Sequence, residues 1–146
     1  MKHKETIRIL PDADTAVLLI HGICGSPNHF RQLLPIEQMI PQHWSVHNMV
    51  LDGHCKTVKD FGNSSMKQWK NQVVSAFDRL ASTHQRVILV GHSMGTLFSI
   101  QLALRHPEKI PFIFLLASPV RVFVKPRAVK YLLQIAFDHV DEADPV

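Results

Sequence analysis

A serine between two glycines is the residue in this sequence whose surroundings best suit chemistry. The pentapeptide GHSMG, residues 91–95, follows directly on the apolar run 87–90 and leads into a helical pattern. A serine hydroxyl is a weak nucleophile, so a fold that uses one holds its oxygen clear of the backbone on a sharp turn between strand and helix. Gly91 and Gly95 have no side chain to obstruct such a turn. The spacing predicts that Ser93 attacks a carbonyl carbon; the competing interpretation is that Ser93 only caps the helix.

A second glycine loop could stabilise the negative charge that acyl transfer creates. The pentapeptide HGICG, residues 21–25, also follows an apolar run, residues 16–20. An oxyanion hole uses one N–H from the residue after the nucleophile and another from a loop after an earlier strand. We therefore predict that the backbone N–H groups of Ile23 and Met94 hold the oxyanion.

Three further side chains lie within these two loops. We expect His21 and His92 to orient the loops by hydrogen bonding rather than to act as the catalytic base. Cys24 is either a small packed side chain, which we favour, or a reactive thiol. These residues are therefore predicted to support the site and not to carry out the reaction.

The apolar runs alternate with helical patterns along the chain, which predicts βαβ units and a mostly parallel sheet with helices on both faces. The strands are expected at residues 7–10, 16–20, 45–51, 86–90 and 111–117. The helices are expected at residues 30–40 with an interruption at Pro35, from Ser65 onward, and at residues 94–105.

The helix that begins after Ser65 shows the clearest amphipathic pattern. Ser65 and Gln68 have the spacing of a capping box, in which each side chain satisfies a free backbone N–H at the helix start. Apolar residues then recur at intervals of three and four, which predicts one buried face. These residues are Met66, Trp69, Val73, Phe77 and Leu80.

The two loops together resemble the α/β-hydrolase superfamily, and most closely its bacterial carboxylesterases and monoacylglycerol lipases. The resemblance rests on HGICG, GHSMG and the LDGH sequence at residues 51–54, and it extends over residues 15–119. It implies a three-layer α/β-hydrolase fold, with Ser93 as nucleophile and the N–H groups of Ile23 and Met94 as the oxyanion hole. The family often has glycine where Cys55 stands here.

The catalytic acid and base are not evident in this chain. In α/β-hydrolases the acid and then the histidine follow the serine along the sequence. His106 and Glu108 come at the end of the helix that Ser93 begins, about 18 Å away at 1.5 Å per residue, which is too far for a hydrogen bond. His139 is a weak candidate, because it falls where the resembling families begin their lid. The prediction is that the sequence stops before the acid and the histidine, so the 146-residue chain alone is inactive.

This interpretation divides the chain into a hydrolase core, residues 1–119, and the start of a lid, residues 120–146. The second segment mixes apolar and basic residues, which suggests a substrate with an apolar acyl chain; a solvated surface helix is the alternative. A sheet that ended at the strand predicted over residues 111–117 would leave an apolar edge uncovered. Such an edge favours self-association.

The predicted function is hydrolysis of a small-molecule carboxylic ester through an acyl-enzyme at Ser93, without cofactor or metal. A thioesterase, acyltransferase or amidase, or a non-catalytic binding protein, are the alternatives. The net charge of +4 comes from lysines and arginines without a dense run, which argues against nucleic-acid binding. No apolar run is long enough for a membrane span, and two cysteines without CxxC spacing fit a cytoplasmic protein.

Overall fold

The structure, a computed structural model, describes residues 3–32 and 34–119. Its centre is a sheet in which five strands follow the order β1-β3-β2-β4-β5. The strands are β1 (Thr6–Arg8), β2 (Thr15–Ile20), β3 (Ser45–Asn48), β4 (Arg86–His92) and β5 (Ile113–Leu116). Only β1 runs antiparallel to its neighbour, β3, and the other described pairs are parallel. The predicted mostly parallel sheet is confirmed.

The helices lie in the segments between these strands, and two short ones, over residues 27–30 and 58–62, were not predicted. They are a 3-10 helix (Pro27–Phe30), α1 (Ile36–Met39), α2 (Val58–Gly62), α3 (Met66–Thr83) and α4 (Met94–Arg105). The helix expected over residues 30–40 is therefore shorter than predicted. Pro35 directly precedes α1, and a proline disfavours helical backbone in the residue before it.

Side chains of β2 and β4 alternate between two apolar layers, which gives the three-layer fold. Leu18 and Leu89 face α3 and α4, where they join the larger buried cluster. Val17 and Ile88 point to the opposite face, where they pack with Phe30 of the 3-10 helix. Both central strands are therefore covered on two sides, as their uninterrupted apolar sequences predict.

One face of α3 provides much of the larger cluster. Trp69, Val73, Phe77 and Leu80 are buried there as predicted, but Met66 is 52% exposed, so its assignment to the buried face was wrong. Met66 is the first residue of α3 and lies before the first turn that contacts the sheet. Ser65 accepts a hydrogen bond from the Gln68 N–H as a cap, whereas the Gln68 side chain contacts the Ser65 hydroxyl and not its N–H.

Beyond β4 the described sheet presents apolar surface. A groove of about 500 Å³ lies between α1 and one face of β2, β4 and β5, and its lining is almost wholly apolar. Phe112 and Phe114, at and beside β5, are 64% and 56% exposed. Residues 120–146, which include the predicted lid and His139, lie outside the described residues. Within the described ranges no helix combines the length and apolarity needed to cross a membrane.

Helix α4 begins in very close contact with the end of β2, and glycine makes this contact possible. A Cβ placed on Gly95 would overlap the backbone oxygen of Ile20 and lie 2.9 Å from that of His21. A Cβ on Gly91 would lie 2.7 Å from the Cα of Thr96. Both glycines of the GHSMG sequence are therefore required by packing between strand and helix.

Substituting Gly95→Ala tests this contact. Because the added Cβ meets backbone atoms that cannot rotate away, we expect the free energy of unfolding to fall by about 3 kcal/mol or more, the upper range for overpacking. Gly62→Ala is the matched control, since nothing lies within 4 Å of a Cβ at Gly62. It should be neutral or stabilising by up to about 1 kcal/mol in chemical denaturation. Equal stability of the two variants would contradict the packing argument.

Candidate active site

Ser93 occupies the turn between β4 and α4 in a backbone conformation that few residues other than glycine adopt. Its φ is 51° and its ψ is −120°. Such conformations cost about 1–3 kcal/mol and persist where the surrounding structure enforces them. Ser93 is neither buried nor fully exposed, and none of the described hydrogen bonds involves its Oγ. Ser93 thus lies where strand and helix meet, and its hydroxyl has no described hydrogen-bond partner.

The loop after β2 lies against the same turn. A Cβ placed on Gly22 would lie 2.8 Å from the Cβ and 3.2 Å from the Oγ of Ser93. The Gly25 N–H donates to the Gly22 oxygen at 3.1 Å and closes a tight turn around Ile23 and Cys24. The structure thus brings the two predicted loops together at one edge of the sheet.

The two predicted oxyanion donors have no described hydrogen-bond partner. Among the described residues, neither the Ile23 N–H nor the Met94 N–H takes part in a hydrogen bond. Met94 begins α4, so its N–H also lies at the positive end of a helix of 12 residues. Two free N–H groups beside a serine hydroxyl can stabilise an oxyanion on a carbonyl that the serine attacks.

His21 fixes the position of the first loop. Its Nδ1 is 2.8 Å from the Gly22 oxygen, and its Nε2 accepts a hydrogen bond from the Leu51 N–H at 3.1 Å. Because Nε2 accepts, the ring is neutral and Nδ1–H is the donor. Burial lowers the pKa of His21 from 6.5 to about 4, and repulsion from neighbouring histidines adds to this. The predicted orienting role of His21 is confirmed.

His92 does not hydrogen-bond as predicted. Its ring stacks on that of His29, with centroids 4.9 Å apart, and its buried Nδ1 has no hydrogen-bond partner among the described residues. Burial, followed by repulsion from His29, lowers the pKa of His92. Position 29 carries no sequence signal for this contact, since the two histidines are far apart along the chain.

The LDGH sequence packs beside His21. The ring of His54 meets the ring of His21 edge to face at 4.8 Å and also contacts Trp69 at 5.0 Å. Burial lowers the pKa of His54, so this ring, like that of His21, favours the neutral state. Cys55 has a φ of 61°, which explains why glycine suits this position in the resembling family.

The cysteines near the site are both exposed and free. The prediction that Cys24 is a packed side chain was therefore wrong, because its φ of 52° turns it outward at the tip of the HGICG turn. Although the residue as a whole is exposed, partial desolvation of the Cys55 thiol raises its pKa, which disfavours a reactive thiolate. In residues 3–32 and 34–119, no three side chains of His, Cys, Asp or Glu group closely enough to hold a metal ion.

The remaining catalytic candidates are placed far from Ser93 or not described. His106 follows the last residue of α4 and lies 3.7 Å from Glu108. Since α4 spans 12 residues, the pair is separated from Ser93 by about 18 Å of helix. The structure therefore does not bring this pair to the candidate nucleophile.

The protonation of His21 predicts a pH dependence of stability. Above pH 6.5 the His21 ring is neutral in both the folded and the unfolded protein. Between pH 6.5 and about pH 4 the ring binds a proton in the unfolded chain but not in the folded protein. Stability is therefore lost as the pH falls from 6.5 to 4, by roughly 3 kcal/mol for this residue. Denaturation at several pH values measures the slope.

In His21→Gln the slope should be shallower, although His54 and His92 contribute in the same direction. His43→Gln is the matched control, because His43 is exposed and should leave the slope unchanged. An identical pH dependence in wild-type protein and His21→Gln would show that His21 does not exclude the proton.

Comparison with known proteins identifies a matching family and several sequence relatives. The family model for the alpha/beta hydrolase fold matches residues 15–141. A pimeloyl-(acyl-carrier protein) methyl ester esterase of Neisseria meningitidis serogroup A is 30% identical over 122 residues, covering 84% of this chain and 36% of the relative. A thermostable monoacylglycerol lipase of Bacillus sp. is 29% identical over 92 residues, covering 63% of this chain and 36% of the relative. The chain thus spans little more than a third of the length of these relatives.

Solved structures share the fold. One of the metagenome-derived lipolytic enzymes LipS and LipT has a TM-score of 0.73 at 23% identity, covering 99% of this chain and 54% of that chain. A marine microorganism esterase has a TM-score of 0.64 at 15% identity, covering 95% of this chain and 52% of that chain. The sequence match over residues 15–141 includes both glycine loops, and the chain belongs to the alpha/beta hydrolase fold family.

Proposed function

We propose that this chain carries the nucleophile and the oxyanion hole of a serine hydrolase that acts on carboxylic esters. The observation that supports this most directly is the placement of Ser93 on a turn with positive φ, beside two N–H groups without described partners. The named relatives, an esterase and a lipase, support an ester as the substrate.

In the proposed reaction the Ser93 Oγ attacks the ester carbonyl carbon while a base removes the hydroxyl proton. The carbonyl oxygen becomes an oxyanion that the Ile23 and Met94 N–H groups stabilise, and one such donor is worth about 2.7–4 kcal/mol. The alcohol leaves with a proton, and water then hydrolyses the acyl-serine. No step needs a metal or an organic cofactor.

The base and its acid partner belong to the part of the protein outside residues 3–119. Within the described ranges no carboxylate or histidine hydrogen-bonds the Ser93 hydroxyl. We propose that residues 120–146 begin the lid, and His139 in this segment remains the weak candidate for the base. The other source is a longer natural protein, as in the relatives, of which this chain matches 36%.

The substrate and location follow from features near the site. Ile23 is 56% exposed on the loop beside Ser93, which supports an apolar acyl group. The two free cysteines, Cys24 and Cys55, fit a reducing cytoplasm. We therefore propose a cytoplasmic enzyme for small apolar esters.

Activity of the natural full-length protein tests the function. We expect it to hydrolyse p-nitrophenyl esters and to be labelled at Ser93 by a fluorophosphonate, whereas the 146-residue chain alone should do neither. Ser93→Ala should reduce kcat at least about a thousandfold, because the nucleophile is lost. Ser82→Ala, which removes an exposed hydroxyl of α3, should retain full activity.

The alternatives give different results in the same assays. Faster turnover of thioesters or amides than of esters would indicate a thioesterase, acyltransferase or amidase. If the fluorophosphonate does not label Ser93 in the full-length protein, that result would support a non-catalytic binding protein. Hydrolysis by the 146-residue chain that Ser93→Ala abolishes would contradict the proposed location of the base.

We also propose that the 146-residue chain self-associates through β5 and its apolar face. Phe114 lines the groove and is 56% exposed, so Phe114→Ser should weaken association in sedimentation velocity over a range of concentrations. Leu104→Ser is the control, because Leu104 is 78% exposed on α4 and away from the groove. Equal association of both variants would argue against this surface.

A further inference from the structure

Both backbone polar groups of Ser93, its N–H and its carbonyl, are hydrogen-bonded to other residues. Its N–H donates to the Leu116 oxygen at the end of β5, at 2.8 Å. Its carbonyl accepts two hydrogen bonds from Thr96, one from the N–H at 3.0 Å and one from Oγ1 at 2.6 Å. The shorter of these two bonds comes from a side chain, so a substitution can remove it without changing the backbone.

The hydroxyl of Thr96 also meets a hydroxyl from the loop after β5. Thr96 Oγ1 lies 2.8 Å from Ser118 Oγ. A hydroxyl has a single proton, and the Ser93 carbonyl can only accept, so the Thr96 proton points to Ser93. The Ser118 hydroxyl must then donate to Thr96. The result is a chain of two directed bonds from Ser118 through Thr96 to the backbone of Ser93.

The surroundings of this chain favour a fixed geometry. Thr96 is fully buried, so water does not compete for its hydroxyl, and bonds in a row strengthen one another. Ala117, between Leu116 and Ser118, has a φ of 50°. Ala117 thus separates Leu116, whose oxygen accepts from the Ser93 N–H, from Ser118, whose hydroxyl contacts Thr96. Nothing else about position 96 or 118 in the sequence signals this contact.

We propose that Thr96 is a positioning residue for the Ser93 nucleophile, and that Ser118 orients Thr96. Thr96 is fully buried, and its hydroxyl contacts the Ser93 carbonyl and Ser118 but makes no described hydrogen bond to the Ser93 hydroxyl. It acts through the Ser93 carbonyl, which fixes ψ and therefore how the Ser93 side chain and the Met94 N–H are placed relative to one another. This inference rests on the proposed function of Ser93.

Two substitutions at position 96 separate positioning from stability. Thr96→Val keeps the buried volume but removes the hydroxyl, so in the full-length protein kcat should fall between about tenfold and a hundredfold, as expected for a small displacement of the reacting atom. KM should stay within about twofold of the wild-type value because no substrate contact changes. Thr96→Ser keeps the hydroxyl and loses a buried methyl, so it should retain kcat while lowering the melting temperature. Thr83→Val is the control, because it makes the same exchange of threonine for valine at an exposed site on a helix.

Ser118 is tested by a double-mutant cycle. Ser118→Ala alone should lower kcat severalfold, and in the Thr96→Val background it should have no further effect, because the bond it supports is already absent. Ser82→Ala controls for loss of a serine hydroxyl elsewhere. Additive effects of Thr96→Val and Ser118→Ala, or a kcat that follows melting temperature across all variants, would overturn the proposal.

Failure of the proposed function gives a distinct result. If the wild-type full-length protein neither hydrolyses esters nor is labelled at Ser93, that function is wrong. The positioning role is then judged from crystal structures. Thr96→Val should move the Ser93 backbone away from its φ of 51° and ψ of −120°, and an unmoved backbone would overturn the inference.

Discussion

The close approach of α4 to the ends of β2 and β4 is the constraint on which the rest of the site depends. Helix α4 starts immediately after β4 and Ser93, so the chain must change direction at Ser93. This residue adopts a strained φ of 51° as a result. The approach also places Gly95 against the last backbone oxygens of β2. The serine therefore faces the loop that follows β2, and the two halves of the candidate oxyanion hole come together without any direct bond between them.

The sheet order explains why two loops far apart in sequence share one edge. β2 and β4 are parallel neighbours, paired from Thr15 with Arg86 to Ile20 with Gly91. Their carboxyl ends coincide, so the loops that follow must meet there. His21 then links the first loop to the start of the loop after β3 through the Leu51 N–H. Because this link needs a neutral imidazole, the shape of the loop is coupled to the exclusion of a proton.

Features set by residues close together in the sequence could be predicted from it. Contacts between residues that are distant in the sequence and meet only in the folded structure could not. The helix over residues 94–105 was predicted at its observed bounds, because glycine, serine and His106-Pro107 mark its ends. Met66 was misplaced because helical spacing alone does not show which turns reach the sheet. The pairing of Thr96 with Ser118 joins positions 22 residues apart, and only the strand β5 between them brings the two hydroxyls together.

The described residues alone account for the geometry around Ser93. β2, β4, β5 and α4 supply the backbone bonds and close contacts around Ser93, and the Leu51 N–H adds a bond to His21 in the neighbouring loop. Activation of the hydroxyl is a separate requirement, because a serine without a base remains almost entirely protonated at neutral pH. The contacts that position Ser93 are therefore distinct from the groups that would activate its hydroxyl. The contacts depend on glycines and on backbone hydrogen bonds near Ser93, whereas under the proposed function activation depends on an acid and a base outside residues 3–119.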